Sequence, residues 1–402
     1  MKKMVLEIEA AAVEYKGYIY FYQPLINALF RLSLKNANTE FLCFFNNEKV
    51  DKPYRNAYRY ENYAWFIPWE AEKILCVNLD DLHSEYYSVP FSKKNIRGLS
   101  LYPHAYFPTS GRINEEEIFL VPCGTDTPII INMKTKKITA YKGVIDVDHE
   151  IMWYGICVED EIWMAPYEGK RLVILNYKTG DVKSFPWMFE SMQYSGMLYY
   201  DNKIWFAPNN ADNMLAFDLK TKEYKKIYMG AYYHENNTYS ELRFFDNKIW
   251  VVPWRSNKIL LYDSKAKEWS SIEKDPEICW PYATELRSIE FEDKLAFVTC
   301  RTGFVSIYDP QFCKFINIPV EINQDDIYQK ISGNNKEMEW IKNTYKPEDY
   351  SYADSYIGLD VFLRICSQRS ITREMSMENG NIGEKIWNKT KNEEKYNASS
   401  TC

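Results

Sequence analysis

One phrase recurs along this chain and constrains its fold more than any other feature. "DNKIWFAPNN" at residues 201–210 returns at residues 246–255 as "DNKIWVVPWR". Aligning this apolar run and its proline gives seven copies over residues 5–320, at spacings of 44, 54, 44, 42, 45 and 46 residues. The aligned positions are Pro24, Pro68, Pro122, Pro166, Pro208, Pro253 and Thr299. A period of this size indicates a repeat architecture.

Each copy contains four short strands. The phrase is preceded by an apolar run that ends in Asp-Asn, a pair that tolerates a tight hairpin, and it is followed by segments such as "MLAFDLKTKEY" at residues 214–224. In that segment an apolar strand leads through an Asp-containing turn into a further strand. Four strands in 40–50 residues are typical of a β-propeller blade.

The phrase itself is apolar at every position, as in "IWFA" and "IWVV". Such strands are buried on both faces, which a blade between two neighbouring blades requires. A helical solenoid is disfavoured because these β-branched and aromatic runs are too short for helices. We therefore predict an all-β propeller of seven four-stranded blades, with six or eight blades as the alternatives.

The unit resembles the blade of Kelch and galactose-oxidase-type propellers. "DNKIWFAP" followed by "MLAFDLKTKEYKKI" has a similar order of strands and turns, and Tyr224 and Trp269 stand where Kelch repeats place a late aromatic residue. The Kelch double glycine is absent, and a proline occupies that neighbourhood. The resemblance therefore implies a fold and carries over no catalytic residue.

The rhythm of the repeat divides the chain into three parts. Residues 1–320 form the predicted propeller, with a longer insertion in one repeat near residues 88–117. Residues 321–366 carry apolar side chains near helical spacing, at Ile357, Val361 and Ile365, which predicts a short helical extension packed on the propeller. Residues 367–402 are polar, which predicts a flexible tail.

Charge and hydropathy exclude some classes of protein. The formal charge of −7 disfavours a nucleic-acid or anionic-membrane binder, because such proteins usually carry a basic face. No apolar stretch reaches the length of a membrane span, and Glu7, Glu9 and Glu14 interrupt the apolar core that a secretory signal needs. We therefore expect a cytoplasmic monomer that binds no nucleic acid and no membrane.

The cysteines and histidines offer no metal-binding pattern. Nine cysteines are scattered without a C-x-x-C pair, and several lie in apolar runs, which predicts buried thiols at Cys43, Cys76, Cys157 and Cys300. The four histidines lie far apart. We expect neither a metal nor a cofactor.

The residue after each shared proline begins the loop between the second and third strands of its blade. Three of these residues are aromatic, namely Trp69, Tyr167 and Trp254, and they are followed by Glu70, Glu168 and Arg255. Flat apolar faces beside charges suit a sugar or a peptide side chain. The six residues are therefore our candidate binding face, on which we expect the aromatic side chains to be partly exposed. The alternative is that the aromatic residues pack into the core between blades.

Charged residues also occur on the predicted first strands. Glu241 with Arg243, and Glu285 with Arg287, are two residues apart and so share one face of a strand. That face either lines the central channel or forms ion pairs between blades. His149, with Glu150 beside it, is the only histidine with obvious acid–base neighbours, and we include both residues among the candidate channel charges.

Two functions remain open on the sequence. P-loop, G-x-S-x-G, H-E-x-x-H and G-x-G-x-x-G motifs are all absent. The first function is a non-catalytic recognition scaffold that binds a protein or a glycan on the face after the shared prolines. The second is a propeller enzyme that acts on a sugar or small polar substrate through charges in the channel.

Overall fold

The computed structural model describes most of the chain up to residue 323. The described residues are 3–6, 8, 11–23, 27–45, 54–90, 106–123, 125–234, 238–256, 258–273, 286–289, 294–299, 303–310, 312 and 314–323. Their strands are β1 Lys3–Val5, β2 Ala12–Tyr15, β3 Tyr18–Gln23, β4 Ala28–Ser33, β5 Thr39–Phe44, β6 Tyr54–Tyr60, β7 Tyr63–Pro68, β8 Lys73–Asn78, β9 Ser84–Ser88, β10 Thr109–Arg112, β11 Glu117–Val121, β12 Ile129–Asn132, β13 Lys137–Ala140, β14 Ile151–Val158, β15 Glu161–Glu168, β16 Arg171–Asn176, β17 Val182–Pro186, β18 Tyr194–Tyr200, β19 Lys203–Pro208, β20 Asn213–Asp218, β21 Tyr224–Tyr228, β22 Thr238–Phe245, β23 Lys248–Arg255, β24 Lys258–Asp263, β25 Glu268–Glu273, β26 Leu286–Ile289, β27 Leu295–Thr299, β28 Phe304–Asp309, β29 Lys314–Pro319 and β30 Glu321–Asn323. A short 3-10 helix spans Gly230–Tyr232.

The strands form seven four-stranded antiparallel sheets, each made of four consecutive strands. Blade 1 is β2–β5, and the following blades are β6–β9, β10–β13, β14–β17, β18–β21, β22–β25 and β26–β29. These sheets are the blades of one propeller ring, which confirms the predicted fold and the count of seven.

The Asp-Asn turns adopt the conformation that their sequence favours. Asp201 and Asn202 have φ of 52° and 54°, and Asp246 and Asn247 have φ of 48° and 58°. Positive φ at both central residues defines the hairpin turn whose twist matches that of the flanking strands. The prediction of tight hairpins is therefore confirmed in both blades.

The second strand of blade 5 packs on both neighbouring blades. In β19, Trp205 joins the apolar cluster shared with blade 6, whereas the adjacent Phe206 joins the cluster shared with blade 4. Both side chains are buried. Because successive side chains of a strand point to opposite faces, an unbroken apolar run fills the core on both sides of the blade.

The first strands of neighbouring blades lie close together around the axis. Ser195 in β18 donates from its hydroxyl to the carbonyl oxygen of Tyr239 in β22. A Cβ atom added to Gly196 would lie 2.4 Å from the Ser240 carbonyl oxygen. The inner strands of blades 5 and 6 therefore approach as closely as a glycine permits.

The shared proline does not end its strand in every blade, although a residue without an N–H donor is expected to end one. In β15 and β23 the strand continues past Pro166 and Pro253, to Glu168 and Arg255, and pairs with the first strand through a bulge. The pairing of β15 with the third strand, β16, ends before the proline, at Met164. The proline thus faces an edge where no N–H donor is needed.

The two ends of the described chain form a ribbon beside the blades. β1 pairs antiparallel with β30, and the Leu6 N–H donates to the Val320 carbonyl oxygen at 2.9 Å. Residues 321–323 are therefore a strand, although the sequence pattern placed the start of a helical extension at 321. The remaining predicted extension and tail, residues 324–402, lie outside the described residues, as does the 91–105 part of the predicted insertion.

Candidate functional site

One edge of the propeller carries the candidate binding face. In each blade the loop between the second and third strands lies at the edge where the first strand begins, and so does the connection from the preceding blade. We call this edge the loop face. It brings together residues 166–171 of blade 4, the connection 187–193 between blades 4 and 5, and residues 229–234 between blades 5 and 6.

Trp69 is not exposed on this face, and the expectation that it would be was wrong. Its side chain is 2% exposed and lies in a cluster with Cys123 and Trp153 from blades 3 and 4. The rings of Trp69 and Trp153 meet edge to face at 5.6 Å, and the Arg55 guanidinium lies 4.3 Å from the Trp69 ring centre. These contacts bury Trp69 in the core between blades, which was the alternative interpretation.

Tyr167 and Trp254 are partly exposed, as the sequence analysis expected. The Tyr167 ring lies 5.2 Å from the Trp153 ring, so one of its faces is covered. Its hydroxyl donates to the Met192 sulfur at 3.0 Å. Glu168 is exposed and Glu70 is half-buried, whereas the side chain of Arg255 lies outside the described atoms.

Two exposed methionines in the connection after β17 were missed by sequence reasoning, and one of them, Met192, contacts Tyr167. Met188 is 74% exposed and Met192 38% exposed, both in the connection 187–193. We call Tyr167, Met188 and Met192 the blade-4 patch. A signal was present in the sequence, because "WMFESMQ" places four apolar residues in a segment that the repeat assigns to a connection. An alignment based on the prolines does not include this connection.

The connection that carries these methionines is held at both ends. The Trp187 N–H donates to the Lys170 carbonyl oxygen at 2.7 Å, and the buried Trp187 ring packs on Phe189. The Ser191 hydroxyl donates to the Tyr167 carbonyl oxygen at 2.8 Å. The exposed methionines therefore stand on a backbone that is fixed to blade 4.

Glu150 is buried on the loop face rather than in the channel. Arg171 donates to its two carboxylate oxygens at 2.6 and 2.9 Å, and this hydrogen-bonded pair raises the pKa of Arg171. Gly169 has a φ of +145°, and a Cβ atom added to it would lie 3.1 Å from the Glu150 Cγ. His149 is exposed, and its Nδ1 lies 3.0 Å from Asp146. Both residues precede β14, so neither lies on an inner strand.

Glu241 and Arg243 form an ion pair with each other and reach across to blade 7. The Glu241 carboxylate accepts from the Ser288 N–H at 3.0 Å and from the Ser288 hydroxyl at 2.6 Å. Arg243 Nε donates to the same hydroxyl oxygen at 2.7 Å. The pair therefore joins two inner strands. Glu285 and the side chain of Arg287 lie outside the described atoms.

Within the described ranges, no three His, Cys, Asp or Glu side chains are grouped so that they could hold a metal ion. In the same ranges, no helix has the length and apolar character of a membrane span.

Comparison by sequence shows no family for this chain. No protein-family model matches it. No curated protein matches it either.

Several solved propeller structures are similar to this chain. Virginiamycin B lyase from Staphylococcus aureus matches with a TM-score of 0.54 at 15% identity, over 70% of this chain and 89% of that one. A streptogramin B lyase matches with a TM-score of 0.56 at 13% identity, over 78% and 96%. YCF48, solved with a D1 peptide, matches with a TM-score of 0.52 at 10% identity, over 74% and 92%. At these identities the likeness shows the seven-bladed propeller fold alone.

Proposed function

We propose that this propeller is a non-catalytic recognition scaffold that binds a segment of another protein on its loop face, at the blade-4 patch. The observation that carries the proposal is the exposure of Met188 and Met192 on a connection whose backbone is fixed to blade 4. Exposed apolar side chains grouped on a fixed backbone mark interaction sites in soluble proteins. Methionine suits such sites, because its flexible thioether adapts to varied partners.

A protein segment fits this patch better than a glycan does. Sugar stacking uses an open aromatic face, and in the blade-4 patch the only ring is that of Tyr167, which has Trp153 on one side and its hydroxyl on the Met192 sulfur. What the patch offers instead is two thioethers and the exposed part of one tyrosine. These groups accept an apolar side chain of a peptide.

The named structural relatives do not choose between binding and catalysis. Two are lyases and one was solved with a peptide, and a shared fold does not carry function with it. In this chain the candidate acidic groups Glu241 and Glu150 are engaged by Ser288 and Arg171, so no observation favours the enzyme. The Kelch-like subtype stays a prediction.

A displayed library of random 16-residue peptides, selected on the purified protein, tests the proposal. Selected peptides are titrated by fluorescence anisotropy against the wild type and the Met188→Ser/Met192→Ser variant. We expect the variant to bind about tenfold more weakly or worse, as for a central contact of an interface. Its melting temperature should be almost unchanged.

The matched control is Phe312→Ser, which removes an exposed apolar side chain from blade 7. It should bind the selected peptides as the wild type does. Failure to select any peptide, or equal binding by the methionine variant, would overturn the proposal. Binding confined to a glycan array, and lost in the methionine variant, would replace the protein ligand with a sugar.

A further inference from the structure

We propose that the ligand of the loop face is an extended peptide segment with a basic residue between two apolar residues. One apolar residue binds the blade-4 patch, and the other binds a tyrosine patch between blades 5 and 6. The basic residue binds carboxylates that lie between the two patches. This inference rests on the proposed function and adds the chemistry of the ligand and the path that it follows.

The tyrosine patch consists of Tyr228, Tyr232 and Tyr233. Tyr228 is 62% exposed and Tyr233 38% exposed, and Tyr232 is half-buried in the 3-10 helix between them. The Trp269 indole N–H of blade 6 donates to the Tyr228 carbonyl oxygen at 3.0 Å, which fixes the start of this segment. Tyrosine supplies contact area at little entropic cost, because it has only two rotatable side-chain torsions.

Backbone hydrogen bonds place the two patches in one row. The carbonyl oxygen of Gln193, the last residue of the methionine connection, accepts from the N–H groups of Asn209 and Asn210 at 3.0 and 3.2 Å. Two residues further on, the Asp212 carbonyl oxygen accepts from the Met229 N–H at 3.0 Å, next to Tyr228. The loop of blade 5 at residues 209–212 therefore bridges the blade-4 patch and the tyrosine patch.

The bridge between the patches is acidic. Glu190 and Asp212 are exposed, and Glu168 stands beside Tyr167 at the blade-4 end. None of these three carboxylates forms an ion pair within the described residues. Of the two basic residues in the loop 166–171, Arg171 is engaged by Glu150, and the Lys170 carbonyl oxygen accepts from the Trp187 N–H. Charge complementarity thus calls for a lysine or arginine in the middle of the ligand.

The arrangement of the two patches in one row favours a ligand that is extended. Two apolar patches separated by a polar bridge can be reached by one chain only if it is laid out along the surface, so that alternate side chains meet the protein. A globular partner would bury the exposed Asn210 and Asp212 together with the patches. The affinity of an extended segment should instead depend separately on each of its three contacts.

The test uses the peptides selected from the random 16-residue library and shortened versions of them. The Glu190→Gln/Asp212→Asn variant should bind about tenfold more weakly at low salt, and the difference from wild type should shrink at high salt, where exposed charges are screened. The Tyr228→Ser/Tyr233→Ser variant should bind the full peptides several-fold more weakly. That variant should bind a shortened peptide, which keeps only the residues for the blade-4 patch, as the wild type does.

The matched control is Glu223→Gln/Glu268→Gln, which removes two exposed carboxylates from the opposite edge of blades 5 and 6. It should leave binding unchanged. Selected peptides that lack a basic residue, or that bind both bridge and tyrosine variants as tightly as the wild type, would overturn this inference. If Met188→Ser/Met192→Ser still failed to bind those peptides, the proposed function would stand and only this inference would be overturned. Equal binding by the methionine variant would overturn both.

Discussion

Arg171 donates from Nε and Nη2 to the two carboxylate oxygens of the buried Glu150, at 2.6 and 2.9 Å. The pair joins the start of β16 to the residue before β14, beneath the loop face. The repeat pattern does not predict this pair, because the two residues are 21 positions apart in the sequence. Only the hairpin of β14 and β15 brings them together.

Removal of Arg171 should destabilise the propeller. Arg171→Ala leaves a buried carboxylate without its cation, which costs about 3–5 kcal/mol when both partners are buried. Since nearly half of the Arg171 side chain is exposed, we expect a loss of about 2–3 kcal/mol, after discounting for solvent screening. Urea unfolding measures this loss. Lys178→Ala, which breaks the exposed Lys178–Asp160 pair, is the control and should change little. Equal losses in the two variants would contradict the prediction.

Trp69 and Trp254 follow equivalent prolines but should respond differently to truncation. Trp69→Ala opens a cavity in the cluster with Trp153 and should cost about 3–5 kcal/mol, as for other buried large aromatic residues. Trp254 is partly exposed and should cost clearly less. Thermal melts of the two variants decide the matter. A large loss in Trp254→Ala would reject a binding role for that side chain.

Gly196 should not tolerate a larger residue. In Gly196→Ala the new Cβ would meet the Ser240 carbonyl oxygen at 2.4 Å, so the inner strands of blades 5 and 6 must move apart. We expect a loss of about 1–3 kcal/mol, the usual cost of overpacking. Gly143→Ala is the control, because its Cβ would have open space and only the positive φ opposes it. A Gly196→Ala protein as stable as wild type would contradict the close approach.

Acid should weaken a contact between blades 2 and 3. Lys136 lies within ion-pair distance of Glu85, and its hydrogen bond lowers the pKa of that carboxyl, with a second hydrogen bond from Tyr87 acting in the same direction. A carboxyl whose pKa is lower in the folded state adds stability above its unfolded pKa of about 4.3. That stability is lost as the pH falls through the lower, folded value.

Lys136→Met should therefore lose less stability than the wild type between about pH 5 and about pH 3, the range in which carboxyl groups titrate. The free energy of unfolding in urea, measured across this range, reports the difference. Lys137→Met removes a neighbouring exposed lysine and should keep the wild-type pH profile. Identical profiles of stability against pH for Lys136→Met and the wild type would show that the Lys136–Glu85 pair does not cause the loss of stability in acid.

Three of the four thiols in the described part of the chain, the buried Cys76 and the half-buried Cys43 and Cys157, should resist alkylation while the protein is folded. Burial raises the pKa of Cys43 and Cys157 to about 11 and that of Cys76 to about 12. Because the thiolate is the reactive form, little of it exists at neutral pH. Peptide mass spectrometry after brief maleimide treatment, with and without urea, tests this. Labelling of Cys76 at the same rate in both conditions would show that it is accessible.

The sequence alone determined the architecture, because the signals for it are local. A proline at a nearly regular interval, apolar runs of strand length and tight turns each depend on a few adjacent residues, and most copies repeat the proline and the apolar run. The structure confirms seven blades, with type I′ hairpins where the turns predicted them. Such consistency among local signals is what specifies a repeat fold.

The tertiary structure alone decided which side chains face solvent on the loop face. Trp69 and Tyr167 occupy equivalent places in the repeat, yet Trp69 is buried by Trp153 and Arg55, which come from other strands. Met188 and Met192 are exposed on a connection that Trp187 and Ser191 attach to blade 4. Burial is a property of a residue's neighbours in space. A repeat alignment fixes where a backbone position recurs, but the neighbours differ from blade to blade because the connections that supply them do not repeat.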